Sequence, residues 1–296
     1  MIDLGALTGR VAGAPISWGV CEAPGWGFEL PADTVLAEMA MVGLAATELG
    51  PTGYLGSGPE AVKETLAKQD LRLVGGFLPV VMHQVARADL TDAETAMSTL
   101  AAAGADVVVL SADAGPDGYD RKLVLSDEAW GHLVHNLERL RQIAGDHGLR
   151  ATLHPHVGTA VETAAAVSRL LDASDIQLCL DTGHLIIGGT DPVDLARSAP
   201  ERIGHVHLKD VRLDVASGVA TGAVGFLDAV RNGLFAPLGE GDVDIAAIVA
   251  ALEGAGYAGW YVMEQDTALS GPVSGGEPGP VEDVRRSLGF LERLGH

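Results

Sequence analysis

Eight short runs of aliphatic and β-branched residues alternate along the chain with longer segments whose apolar residues recur at helical spacing. This alternation limits the fold more than any other feature. The runs read as strands are residues 11–17, 45–49, 71–78, 105–110, 150–154, 177–181, 203–208 and 260–264. The segments read as helices are 31–41, 59–68, 93–103, 127–146, 159–171, 192–198, 245–252 and 281–294, and Gly104 and Gly148 stand where a helix stop is expected. A helix between two strands returns the chain to the same end of the sheet, so the strands run parallel. Eight such units predict an α/β fold closed into a single (β/α)8 TIM barrel. The 296 residues fit one barrel domain, 1–296; a barrel needs about 250, which leaves room for long loops. An open doubly wound sheet would carry a glycine-rich phosphate loop after its first strand, and Ser17-Trp18-Gly19-Val20-Cys21 is not one.

Two loops are expected to be long: 213–241, with a short helix at 224–232, and 267–280, rich in Gly, Pro and Ser. Both follow strands on the face where barrels keep their chemistry, and loops of this length commonly act as lids or binding loops. Forty acidic residues against 19 basic ones leave a net charge of −21. Such a surface repels nucleic acid and anionic membranes and disfavours multiply phosphorylated substrates. No apolar run approaches the roughly 20 residues that span a bilayer. The first residues lack the basic-then-apolar pattern of a secretion signal, so a cytoplasmic enzyme is expected. Cys21 and Cys179 are too few for a disulfide scaffold and are not spaced as a metal pair.

The chemistry concentrates at the ends of the last four runs. These read Leu153-His154-Pro155-His156, Leu180-Asp181-Thr182-Gly183-His184, His205-Val206-His207-Leu208-Lys209-Asp210 and Met263-Glu264-Gln265-Asp266. Side chains alternate along a strand, so His205, His207 and Lys209 share one face, as do His154 and His156 if the strand persists that far. Any one of these histidines is as readily a buried structural group as a ligand. Four neighbouring strand ends that all deliver imidazoles or carboxylates are harder to explain by structure, because burying so many polar groups costs several kcal/mol unless something satisfies them. A mixed nitrogen and oxygen shell suits Mn²⁺ best for this chemistry, with Co²⁺, Zn²⁺ or Fe²⁺ possible, and suits Ca²⁺ or Mg²⁺ less.

Leu180-Asp181-Thr182-Gly183-His184, His205-Val206-His207-Leu208-Lys209-Asp210 and Met263-Glu264-Gln265-Asp266 resemble the xylose isomerase-like TIM-barrel superfamily of sugar isomerases, ketose 3-epimerases, endonuclease IV and inosose dehydratases. Pro15-Ile16-Ser17-Trp18-Gly19, the Thr47-Glu48-Leu49-Gly50 segment and His154-Pro155-His156-Val157-Gly158-Thr159 are most similar to the inosose dehydratase branch. The superfamily holds its metal with a Glu, an Asp, a His and a Glu from strands five to eight. The resemblance therefore implies Asp181, His207 and Glu264 as ligands, with His154 where relatives place a glutamate and His156 competing for that position. It also implies that His184 and Glu48 contact substrate, although a solvated loop acid is an equal reading of Glu48.

That departure at His154 removes one of the two carboxylates of a 3-epimerase shuttle. It favours dehydration of a keto-cyclitol such as 2-keto-myo-inositol (inosose) through an enediolate, with a ketose/aldose isomerase or epimerase as the alternative. His156, Lys209 and Glu264 are the catalytic candidates, and His184 is a further candidate acid. Lys209 could instead pair with Asp210 or Glu240. Trp18, His83, Trp26, Phe28 and Asp113 are candidates for the pocket mouth, where flat rings stack on sugar faces. Trp260 reads as structural, and His132, His135 and His147 read as surface groups. The expected partner is a small polyhydroxylated ketone or sugar. A homo-oligomer is possible, as in this superfamily, but no residue decides it. Phosphodiester hydrolysis is opposed by the acidic surface, and a closed four-ligand shell would indicate a merely structural metal.

Overall fold

The computed structural model describes residues 7–115, 119, 120, 122–273 and 279–294. The residues read for a secretion signal, and 274–278 of the second long loop, lie outside these. Strands β1 (Val11–Gly13), β2 (Ala46–Glu48), β3 (Arg72–Val80), β4 (Val107–Ala112), β5 (Arg150–Leu153), β6 (Gln177–Asp181), β7 (Ile203–Leu208) and β10 (Tyr261–Met263) pair in parallel around a closed barrel, β10 pairing with β1. The expected (β/α)8 barrel is therefore what the chain forms. Strand β1 is shorter than expected because Pro15–Trp18 turns into a 3-10 helix.

The helices that cover the barrel are α1 (Ala32–Met41), α2 (Pro59–Ala67), α3 (Thr91–Ala103), α4 (Asp127–Asp146), α5 (Ala164–Ala173), α6 (Thr182–Ile187) and α7 (Pro192–Ser198), followed later in the chain by α10 (Ile245–Gly254) and α11 (Pro280–Leu294). Helix α4 shows the logic. Ser126 caps its start by accepting the Ala129 amide hydrogen, and Leu133, Leu137, Leu140 and Ala144 bury one face against outward-pointing strand residues such as Leu110 and Leu153. Helix α5 starts at Ala164 rather than at the expected residue 159 because Thr163 supplies the cap.

Inside the barrel, residues are small where the chain crosses the floor. Ala12, Ala14, Ala46, Val74 and Val262 pack together with Trp260 against them, and Arg72 lies over the Trp260 ring. That confirms a structural setting for Trp260. Val74 is an extra residue in β3, where the register to β2 shifts between Thr47 and Glu48. Above this floor sit Val107, Val109, Cys179 and Phe77, and above them the polar end of the barrel.

The segment 213–241 is more ordered than one short helix. It carries α8 (Leu213–Ala220) and α9 (Phe226–Arg231), and β9 (Phe235–Ala236) pairs antiparallel with β8 (Asp210–Val211). Asp210, fully buried, anchors it: Oδ2 accepts the amide hydrogens of Gly239 and Gly241, and Oδ1 those of Val211 and Val243. A Cβ on Gly241 would collide with this carboxylate. Glu240 pairs with Arg286 instead. Replacing Asp210 by Ala strands four amide donors, so D210A is expected to lower stability by about 3 kcal/mol or more. An unchanged urea midpoint in D210A would show that these bonds do not anchor the segment.

Candidate active site

At the C-terminal end of the barrel lies a cavity of about 450 Å³. Its polar wall is built by Glu48, His154, His156, His207, Lys209, Glu264 and Asp266, from β2, β5, β7, β10 and the residues just after them. The rest of the lining is largely apolar and includes Ile16, Val20, Trp26, Phe77, Tyr119 and Phe226, with Glu22 and Thr52 among them.

Asp181 stands at the centre of the polar end with no exposed surface. Its Oδ1 caps α6, accepting the amide hydrogens of Gly183 (2.9 Å) and His184 (2.7 Å). Its Oδ2 is thereby aimed into the barrel, 3.2 Å from His154 Nε2, 3.7 Å from His207 Nδ1 and 3.4 Å from Lys209 Nζ. Glu264 Oε2 is 3.1 Å from His207 Nδ1 and 3.1 Å from Lys209 Nζ. Asp181, His207 and Glu264 thus bring donor atoms within 4.8 Å of one another, and His154, Asp181 and His184 form a second such group. Cys179 lies beneath, grouped with His154 and His207. It is free, buried and pushed up to about 12 by burial, so the thiol stays protonated at neutral pH.

These residues fit a divalent cation. Glu48 Oε1 lies 3.1 Å from His207 Nε2 and 2.8 Å from His205 Nε2. A proton on His207 Nε2 that is donated to Glu48 leaves the Nδ1 lone pair facing Asp181 and Glu264, and Nδ1 makes no hydrogen bond. His154 Nδ1 also has none. Donor atoms 3.1 to 3.7 Å apart match ligands that share one ion at about 2.1 Å. Burial lowers an imidazole pKa, yet His207 is held well above its usual value by Cys179, Glu264 and Glu48 around it. The position demands positive charge, which a proton or a metal can supply.

Lys209 meets that demand beside it. Its ammonium lies 2.8 Å from Asp266 Oδ1 and 3.1 Å from His184 Nε2, in addition to its contacts with Asp181 and Glu264. Burial opposes its charge, but Asp181, Asp266 and Glu264 hold its pKa well above normal. The pairings with Asp210 or Glu240 do not form. A pKa suited to proton donation, the ground for expecting Lys209 as the acid, does not follow either; Lys209 is a fixed cation. Glu264 is depressed to about 2, as His207 and Lys209 outweigh its burial. Asp266 is raised to about 6, chiefly by burial and then by Glu264, against Lys209.

The structure separates His154 from His156. Strand β5 stops at Leu153, so both stand on the loop beyond it, with ring centroids 5.3 Å apart. His156 Nδ1 bonds the Val157 carbonyl oxygen at 2.7 Å, and its ring stacks on His184 at 3.7 Å. Burial, with His154 and Lys209 nearby, lowers its pKa to about 3. Its Nε2 is therefore an unprotonated acceptor on the cavity wall. Gly158 at φ 77° carries the chain past the Tyr119 backbone with no room for a Cβ.

Other candidates fall elsewhere. Trp18 is turned away, its indole N–H donating to Glu38 Oε2 at 2.7 Å. His184 is buried behind His156, and His83 and Asp113 lie outside the described cavity lining. Phe28 is exposed, as is His135, while His132 and His147 are half-buried. Sequence reasoning assigned nothing to Asp266, His205, Tyr119 or Phe226. Asp266 and His205 each lie two residues from an assigned ligand, so strand alternation carried their signal. Tyr119 and Phe226 come from loops and had none.

The chain belongs to the xylose isomerase-like TIM barrel family, whose sequence pattern matches residues 36–294. Among curated relatives, it is 32% identical over 272 residues to an inosose dehydratase of Geobacillus thermodenitrificans (strain NG80-2), spanning 88% of this chain and 91% of that one. It is 34% identical over 280 residues to an inosose dehydratase of Geobacillus kaustophilus (strain HTA426), spanning 90% of each. Solved structures share the fold. An L-ribulose 3-epimerase has a TM-score of 0.69 at 18% identity, covering 96% of this chain and 94% of that one. An IOLI protein with a bound zinc atom has a TM-score of 0.65 at 15% identity, covering 96% of both. Among the described residues, no helix is long and apolar enough to cross a membrane.

The site makes stability depend on pH. His154, His156, His184 and His205 all have pKa values lowered by burial, so they are neutral when folded and charge on unfolding below their ordinary value of 6.5. Their contribution is present above pH 6.5 and is lost as pH falls towards the folded values. Asp266 has the opposite sign between 3.8 and about 6. His207, with its raised value, is protonated in both states below 6.5 and adds no slope there. Metal-free protein is expected to take up protons on unfolding below pH 6.5, four histidines outweighing Asp266, so its urea midpoint falls steadily there. A flat midpoint between pH 7 and 5 would contradict this assignment.

Proposed function

We propose that the protein is a divalent-metal-dependent lyase that removes water from a keto-cyclitol such as 2-keto-myo-inositol. The observation that carries this reading is the close set of donor atoms of Asp181, His207 and Glu264, with His154 Nε2 3.2 Å from Asp181 Oδ2 on its other side and the open Nε2 of His156 on the cavity wall. The relatives named inosose dehydratase support the choice of substrate. His154, Asp181, His207 and Glu264 are the proposed ligands, with Mn²⁺ the first choice and Co²⁺, Zn²⁺ or Fe²⁺ chemically acceptable. A bound cation supplies Lewis acidity towards the ketone oxygen.

The remaining work falls to the protein. His156 Nε2 takes the proton next to the ketone, since Nδ1 carries the ring proton and donates it to the Val157 carbonyl oxygen. The His156 Nδ1 contact with Val157 and the stacking on His184 fix the ring, so the lone pair keeps its direction. Lys209, tied to Asp266, presents fixed positive charge towards the oxygen that leaves, and that oxygen departs as water by taking back the proton that His156 has accepted. Glu48 positions His207 rather than touching substrate first. The apolar wall excludes water from the reacting carbons.

Dehydration is preferred over 3-epimerisation because an epimerase shuttle uses two acid/base carboxylates. Glu48 is engaged by two histidines, Glu264 lies among the proposed ligands, and His154 stands where the second would be. Mn²⁺-loaded protein is expected to convert 2-keto-myo-inositol to a dione, followed by absorbance, and to leave ketoses unchanged. No dione at saturating Mn²⁺ together with turnover of a ketose would replace this reading by the isomerase.

Two substitutions divide the proposed assignments. His154→Ala is expected to lose bound metal and activity together. His156→Ala is expected to retain metal at wild-type stoichiometry while kcat falls by about 10²- to 10⁴-fold. Metal analysis beside steady-state kinetics checks both, and the reverse pattern would make His156 the ligand.

A further inference from the structure

The cavity is larger and more one-sided than a bare cyclitol requires. Its volume is about 450 Å³, whereas a twelve-heavy-atom keto-cyclitol at interior packing density fills roughly 200 Å³. Most of the hydroxyl partners stand at the strand ends, and the rest of the described lining offers chiefly Glu22 and Thr52 among apolar side chains. A ring hydroxylated all round, set deep among those apolar side chains, would lose hydration from some hydroxyls without a hydrogen bond.

The apolar lining ends in an aromatic arch. The ring centroids of Trp26 and Phe226 are 6.4 Å apart and those of Tyr119 and Phe226 are 6.0 Å apart, and Tyr119 lies 4.8 Å from the His156 ring. The arch therefore begins beside the proposed proton acceptor. Trp26 is fixed by its indole N–H donating to the Thr267 carbonyl oxygen at 2.8 Å, and Phe226 by the Asp120 carboxylate accepting its amide hydrogen at 2.7 Å. The charge of the cavity also selects. Lys209 is the one lysine or arginine in the described lining, with Asp181, Glu264 and Asp266 around it, and His207 beside it is paired with Glu48 and Glu264. Nothing there offers a free cation to a phosphate or carboxylate.

We infer that the site takes a neutral keto-cyclitol carrying an O-linked aromatic substituent, with the polyhydroxylated ring at the polar wall and the aromatic group under Trp26, Tyr119 and Phe226. This rests on the keto-cyclitol reading above. A flat ring in such an arch gains stacking as well as apolar burial.

Calorimetric titration of Mn²⁺-loaded protein with 2-keto-myo-inositol and with its mono-O-benzyl ethers tests it. At least one ether is expected to bind about tenfold or more tightly than the parent compound. A p-nitrophenyl ether is expected to quench tryptophan fluorescence in the wild type, and Trp26→Phe is expected to remove most of that quenching. If every ether binds no better than the parent, the inference fails and the keto-cyclitol reading stands. If neither parent nor ethers bind, both fail. Quenching that persists in Trp26→Phe overturns the location under the arch.

Discussion

Four carboxylates, Glu48, Asp181, Glu264 and Asp266, are buried at one end of the barrel, and the rest of that end is arranged around the positive charge they require. A carboxylate removed from water stays ionised only beside a cation or several donors. Lys209 serves three of the four, and His207 and His205 serve the fourth. The barrel makes this possible by geometry. Parallel strands point the same way, so the residue that ends each strand arrives at one rim, and closure turns that rim into a ring. The small residues on the floor, Ala12, Ala46 and Gly75, leave room for Glu48 and His205 to stand inside; a Cβ on Gly75 would reach the Glu48 carboxylate.

The part of this that rests on repeating local pattern was legible in the sequence. β6 and β7 were read to the residue, because each is a bounded apolar run ending in polar ligands. The gathering of imidazoles and carboxylates at four neighbouring strand ends followed from strand alternation and barrel closure, and the resemblance singled out Asp181, His207 and Glu264 among them. What escaped was set by a single contact or by a loop. Helix α6 begins inside the strand-end motif because Asp181 caps it, so a residue read only as a ligand also starts a helix. Trp18 looked available as an aromatic, but its indole is claimed by Glu38 on α1. The pairing of Lys209 could not be found among its sequence neighbours, because Asp210 is consumed by four amides of the following segment. Such choices depend on which groups meet in space.

The two walls of the cavity differ in origin. The polar wall is carried on the ends of the barrel strands or on the one to three residues that follow them. The apolar wall is brought by loops and by α9, held through a few side-chain bonds such as Asp120 to Phe226 and Trp26 to Thr267. A family can therefore keep one reaction chemistry while the facing wall changes what is recognised.

The imidazole of His154, in a position where the superfamily carries a glutamate, also fits the charge balance. Asp181 and Glu264 together would match one divalent cation and Asp266 matches Lys209, which leaves the negative charge of Glu48 held by hydrogen bonds from His205 and His207. A neutral fourth ligand adds no further charge, whereas a glutamate would add a second uncompensated negative charge in a buried site. That balance suits a base of the imidazole type. In the proposed reaction His156 would become positive as negative charge develops on the substrate oxygen, and the two charges would form close together among apolar side chains. A carboxylate base in the same place would instead be discharged as the substrate became charged, which removes that attraction. The imidazole at residue 154 and the proposed use of His156 as acceptor thus follow from one electrostatic arrangement.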